Sequence, residues 1–268
     1  MTTIQHENLI SSLPASTKHT GTAAANKDIN IPSTSRSLPR NARGPGEPIP
    51  DFLTRLPPSK ATGEAVGPWI FVNSPHNHRT NPDEDNDEGK AAFIRKATTF
   101  LHEFEDKQST LEAEHDRSGA RTKAGLTRKL NPLRRTLEED IFGLARENGV
   151  VSGKWMLFPT ADQVDKYWAK VAEATAHGEL GYGAKVATDA GGGSGRARAM
   201  MVYTRDFEDI EDVRRVLEKL VELGLVKDEQ KPIYYKVDAY TYLEILGDNP
   251  YGLKASLFSS KDVLAGKV

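Results

Sequence analysis

The chain has 268 residues, 36 Lys and Arg against 38 Asp and Glu, no cysteine and a formal net charge of -2. That length suits one large or two small domains with a real core, and the near-neutral balance excludes a whole-molecule cationic field of the kind that drives indiscriminate nucleic-acid or membrane binding. The lack of cysteine excludes disulfides, a thiol nucleophile and a thiolate zinc site. No stretch reaches the roughly 18 apolar residues of a membrane span, so the expectation is a soluble cytoplasmic protein, or one also found in the nucleus.

In chain order, residues 1 to 48 are dense in Ser, Thr, Asn, Pro and Gly, with scattered apolar residues of no sustained period. Such a segment buries too little to offset its ordering entropy and is expected to be a disordered tail ahead of one domain over 49–268. Trp69 to Val72 predicts a strand between Gly-Pro and Ser-Pro. The five carboxylates from Asp83 to Glu88 predict a solvated turn, with Asp85 or Asp87 able to cap the next helix. They do not fall on a calcium-loop spacing.

Phe93, Ile94, Ala97, Phe100, Leu101 and Phe104 recur at helical spacing and predict about three turns of amphipathic helix from Gly89. A basic insertion is expected at about 106–135, where Arg117 to Arg135 carries seven cations and no acid. Two readings stand for it, a phosphate-tracking segment and a solvated loop that balances the acidic run; no aromatic residue interleaves to stack bases. Pro132 is expected to open another helix, with Leu137, Ile141 and Leu144 inward and Gly149 as its stop.

Lys154 to Phe158 predicts a strand. Thr160 and Gln163 suggest a capping box for a helix bearing Val164, Trp168 and Val171. Strands follow at 183–188 and 197–204, a helix at 206–223, and strand material at 233–238, 240–246 and 253–259. The order predicts an α+β fold with a mostly antiparallel sheet.

Few residues offer catalytic chemistry. The glycine loop at 189–196 leads into a strand and not a helix, so it does not make a phosphate-binding turn. His76 and His78 lack a third ligand, and there is no metal-ligand or activated-nucleophile spacing. No metal site, no cofactor and no enzymatic activity are expected.

The distribution of cations on the strands is more informative. With a period of two, Lys154, Met156 and Phe158 share one face, and Trp155 and Leu157 the other. If the strands are neighbours, Lys154, Lys185, Arg196, Arg198 and Lys236 could converge on a concave surface edged by Tyr203, Tyr235, Tyr240 and Tyr242. That surface suits a phosphate with a planar base stacked on Tyr203 or Tyr240. The other reading leaves the cations solvated on the open side of the sheet.

The string GKWMLF with ADQVDKYWAKV is similar to the opening strand and first helix of the cap-binding translation initiation factor 4E family. Together GKWMLF, GAKVAT, VYTRDFEDIEDVRRVL, YYKVDAYTYLEIL and NPYGLKASLFSS more closely resemble a eukaryotic family typified by the basophilic leukaemia expressed protein. The resemblance covers residues 150 to 260 best and implies a curved antiparallel sheet with helices packed on its convex face. It also implies that Trp155 is a structural strand tryptophan and that Trp168 contacts protein partners on the convex side. The cap-binding tryptophan sandwich is not matched.

Three functions follow as expectations. The first is a non-enzymatic module that binds a nucleotide, an RNA end or another phosphorylated ligand, with no DNA and no membrane partner. The second is a protein-interaction adaptor using Trp168. The third is a phosphoester- or nucleotide-acting enzyme, with Asp238 near Lys236, or Asp206, Glu208 and Asp209 beside Arg205, as the acid/base groups.

Overall fold

The structure, a computed structural model, describes residues 38–76, 87–189, 197–227 and 231–268. In chain order its elements are α1 (Ile49–Arg55), α2 (Gly63–Val66), β1 (Trp69–Asn73), α3 (Asp87–Arg117), α4 (Ala124–Glu147), β2 (Gly153–Leu157) and α5 (Val164–Ala176). Then come β3 (Gly183–Ala187), β4 (Met200–Thr204), α6 (Ile210–Glu222), β5 (Tyr234–Val237), α7 (Asp238–Tyr242), β6 (Phe258–Ser259) and α8 (Ser260–Leu264). The six strands form one curved, unclosed sheet in the order β1-β3-β4-β2-β5-β6, antiparallel at every pairing. The fold class is α+β.

The strands alternate strictly, and one face of the sheet is the core. Ile70, Val72, Ala184, Val186, Met200, Val202, Trp155, Leu157, Tyr235 and Val237 lie on it and are buried. α5 packs on β1 and β3, and α6 on β4. Val213, Val216, Leu217 and Leu220 form the buried stripe of α6, and Val213 accepts a hydrogen bond from the Trp155 indole at 3.0 Å. A partnered indole satisfies the one polar group that this tryptophan brings inside.

Glycine at 153 is a packing requirement. A Cβ there would lie 2.3 Å from the Tyr235 hydroxyl, because the ring crosses that position to bring its hydroxyl within 2.5 Å of Thr204 Oγ1.

The N-terminal boundary lies earlier than composition suggests. Phe71 exchanges backbone hydrogen bonds with Asn41 and Arg43, and Glu47, with its side chain 3% exposed, pairs with Arg55 at 2.7 Å and accepts from the Gly44 amide at 2.7 Å. Arg55, followed by the Gly44 amide, holds the Glu47 carboxyl below the usual glutamate range against the opposing effect of burial. Polar contacts fix this segment, so its low apolar content is no guide to its order.

The expected basic loop is mostly helix. α3 is 31 residues long, far beyond three turns, and α4 runs through Pro132 without stopping. An interior proline forfeits a backbone hydrogen bond. Leu126 and Leu130, buried upstream of it, extend the apolar stripe of Leu137, Ile141 and Leu144. Burial thus overrides the helix start that Pro132 signals locally.

Other boundaries shift for local reasons. α6 starts at Ile210 because the Asp209 side chain accepts from the Asp212 amide. The Thr160 capping box does not form, since Gln163 occupies the N-cap without a side-chain cap bond. Residues 240–246 begin in a helical turn, and of 253–259 only Phe258–Ser259 pairs as strand. The acidic turn upstream of Asp87 and the glycine loop from 190 to 196 lie outside the described residues.

Candidate ligand-binding face

The opposite side of the sheet carries the cations. Register aligns Asn73, Gly183, Tyr203, Lys154 and Lys236 in one row across five strands. The next row is Phe71, Lys185, Met201, Met156 and Tyr234. Trp69 and Ala187 pair one step further along, and Phe158, two residues past Met156, continues the same side by alternation. Lys154, Lys185, Lys236 and Tyr203 therefore come together as the strand period predicts.

These side chains are substantially enclosed. Lys154 ion-pairs with Asp238, and their side chains are 4% and 6% exposed. The same ammonium donates to Thr241 Oγ1 at 2.8 Å, while the Ser152 hydroxyl donates to Asp238 at 2.6 Å. Lys236 donates to the Ile245 carbonyl at 2.8 Å. Burial, followed by repulsion from Lys154, lowers the pKa of Lys236, with the Asp238 charge opposing.

Lys185 sits in a cage of rings, 4.5 Å from the Trp69 centroid, 5.4 Å from Tyr203 and 5.9 Å from Phe71. Such contacts favour the charged ammonium through the ring quadrupole. Lys154 also lies 5.5 Å from the Tyr203 ring, which the two lysines share.

Several expected members of the site are elsewhere. Arg196 lies outside the described residues. Arg198 is buried at the end of β3, donating to the Thr188 carbonyl at 2.7 Å and pairing with Asp189 at 3.1 Å; it ties the β3–β4 connection together. Tyr235 points into the core face.

Tyr240 is not on the concave face either. Where a strand was expected, the turn of α7 carries it inward to stack on Phe142 at 5.3 Å, and its hydroxyl donates to Glu138 at 2.8 Å. Burial, reinforced by Glu138, pushes its phenol up. Tyr242 packs under Lys90, which lies 4.2 Å from its ring.

Trp168 is fully buried and meets Phe52 edge-on at 6.3 Å. Its indole is core, so it presents no surface to a docking partner. The acids at the start of α6 are likewise engaged: Asp209 caps the helix, Asp206 accepts from the Glu208 amide, and Glu208 pairs with Arg146 at 2.6 Å.

Strand spacing did not assign Trp69, Phe71 and Met201 to this face. Met201 shares a period of two with Tyr203, but Trp69 and Phe71 share theirs only with Asn73, so strand order alone joins them to the lysines. Among the described residues there is no group of three His, Asp or Glu able to hold a metal and no helix long and apolar enough to cross a membrane.

The face defines an open antiparallel sheet with an enclosed cationic and aromatic surface. The profile of the family described as basophilic leukemia-expressed protein Bles03 matches residues 1–244, and the chain belongs to that family. Solved structures similar to part of it include Ascaris suum eIF4E-3 with an m2,2,7G cap and the same protein with an m7G cap, at TM-scores of 0.27 and 0.26. Both are 24% identical over 34% of this chain, which spans 53% of theirs.

Proposed function

We propose that the lysine-bearing face of the sheet binds a phosphorylated ligand with a planar base, a nucleotide or the end of an RNA. The observation that supports this reading is the placement of the lysines: Lys154, Lys185 and Lys236 lie in two adjacent rows, and the strand positions of those rows carry no acid. Asp238 pairs with Lys154. Ammonium groups set among rings favour an anion, and the low local dielectric strengthens such a contact.

The reading is one of binding without turnover. Asp238, the acid nearest the lysines, is already engaged by Lys154 and Ser152. An RNA end or a nucleotide is met in the cytoplasm and the nucleus, where we place the protein.

The test is titration of a fluorescent nucleotide and a short RNA at two salt concentrations. Affinity should fall as salt rises, because phosphate contacts release counterions. The Lys185→Ala/Lys236→Ala variant should lose most of the binding. No binding of either ligand, or binding indifferent to both substitutions, rejects the reading, and turnover of the ligand rejects its non-enzymatic part.

A further inference from the structure

Among the described residues, the two most exposed aromatic side chains are Phe158, at 59%, and Tyr234, at 47%. Both belong to the face that carries the lysines. Tyr234 stands opposite Met156 on the neighbouring strand, and Phe158 lies one alternation beyond Met156. With Met156 between them, the two rings make one contiguous apolar strip on this face, the kind of exposed surface that marks a contact site. Beside Tyr234 the surface opens into a cleft of about 430 Å³ lined also by Lys254, Leu257, Phe258 and Asp262.

The spacing is that of a short polymer. Same-face residues along a strand are about 6.8 Å apart, so Lys154, Met156 and Phe158 span about 14 Å. Lys236 and Tyr234 run beside the first two. A chain whose terminal phosphate meets Lys236, which donates to the Ile245 carbonyl and has no ion pair among the described residues, has Tyr234 one step along and Phe158 one step further. The intervening Met156 is half-buried, unbranched and adaptable, and thus tolerant of any base above it.

We infer that Tyr234 and Phe158 are successive stacking platforms, so that the ligand is an RNA end of at least two nucleotides and not a free mononucleotide. The inference rests on the function proposed above and adds the direction and length of the bound chain. Stacking on an aromatic ring is sequence-tolerant, because every base has a π-face. The platforms therefore select for a single strand with an accessible end, and not for a base sequence.

The experiment compares adenosine 5′-monophosphate with 5′-phosphorylated triadenylate, using the full chain and its Tyr234→Ala and Phe158→Ala variants. Triadenylate should bind more tightly than the monophosphate. Tyr234→Ala should weaken both ligands, and Phe158→Ala only the triadenylate, each by roughly five- to a hundredfold, the range that one stacked base contributes. Both side chains are exposed, so an unchanged melting temperature is expected to separate lost contact from lost fold.

Equal affinity for the two ligands, or an equal effect of Phe158→Ala on both, overturns the two-platform arrangement. So does triadenylate binding that depends on Lys185 and Lys236 but is indifferent to both aromatic substitutions, an outcome that leaves the proposed function standing. If neither ligand binds, both readings fall.

Discussion

Lys154 and Lys236 stand directly opposite each other on β2 and β5, and Asp238, the residue after β5 ends, holds the first of them in a buried ion pair. Two like charges facing each other in an enclosed site require such a counter-charge, since each alone would bear a large desolvation cost.

Asp238→Asn should therefore be strongly destabilising. Removing one partner of a buried pair strands the other, at a cost of about 3–5 kcal/mol. The Lys154→Met/Asp238→Asn double variant should recover part of that loss, because no buried charge remains unpaired. Urea unfolding of the three proteins measures it; an Asp238→Asn loss below about 1 kcal/mol, the scale of a surface pair, contradicts the assignment.

Ligand binding should depend on the protonation of Lys236. Its folded pKa is lowered by burial and then by Lys154, so the ammonium needed for a phosphate contact is lost at a lower pH than for an ordinary lysine. Affinity for triadenylate should fall as pH rises through that lowered pKa, and Lys236→Arg should move the fall to more alkaline pH. The stability effect has the opposite sign: the folded state disfavours the charged form, so stability should rise as pH passes through the folded pKa, and Lys236→Met should remove that rise. Identical pH profiles for the parent and Lys236→Arg would sink this expectation.

Of the cations of the α3–α4 hairpin, Arg121 and Lys123 lie in the connection and Arg128 and Lys129 on α4, and Lys129 pairs with Glu114 at 3.5 Å with both side chains about half exposed. If they extend the field that attracts RNA, replacing Arg121, Lys123, Arg128 and Lys129 with Gln should lower the salt dependence of binding. Glutamine preserves helix propensity at 128 and 129, and Arg121 and Lys123 are exposed in the connection, so the melting temperature should move by at most about 2 °C. An unchanged salt slope assigns the cations to the balance of neighbouring acids on α3.

Tryptophan fluorescence should report on the face through Trp69. Trp155 and Trp168 are fully buried, whereas Trp69 is half-buried beside Lys185. Acrylamide should quench Trp69 preferentially, and Trp69→Phe should remove both that quenching and the signal change on ligand addition. Strong residual quenching in the variant would show that one of the other two indoles reaches solvent.

Local backbone geometry made much of this face legible in the sequence. Alternation along a strand separates Lys154, Met156 and Phe158 from Trp155 and Leu157 wherever the strand lies, and the apolar stripes of α5 and α6 follow the helical period in the same way. Gly-Pro and Ser-Pro flank β1 as local punctuation predicts. Each of these depends on neighbours within a few residues.

Tertiary structure decided the rest. Strand order and register placed Lys185 against Trp69 and Tyr203, and brought Asp238 to Lys154 across 84 residues of chain. A helical turn after β5 took Tyr240 off the sheet and into the aromatic cluster with Phe142 and Phe207, and burial of Leu126 and Leu130 carried α4 through Pro132. Strand spacing alone could not identify Tyr234 and Phe158 as the exposed rings, because exposure depends on what packs above a residue. That is a property of the assembled layers, to which distant segments contribute, and not of the residue's own stretch of chain.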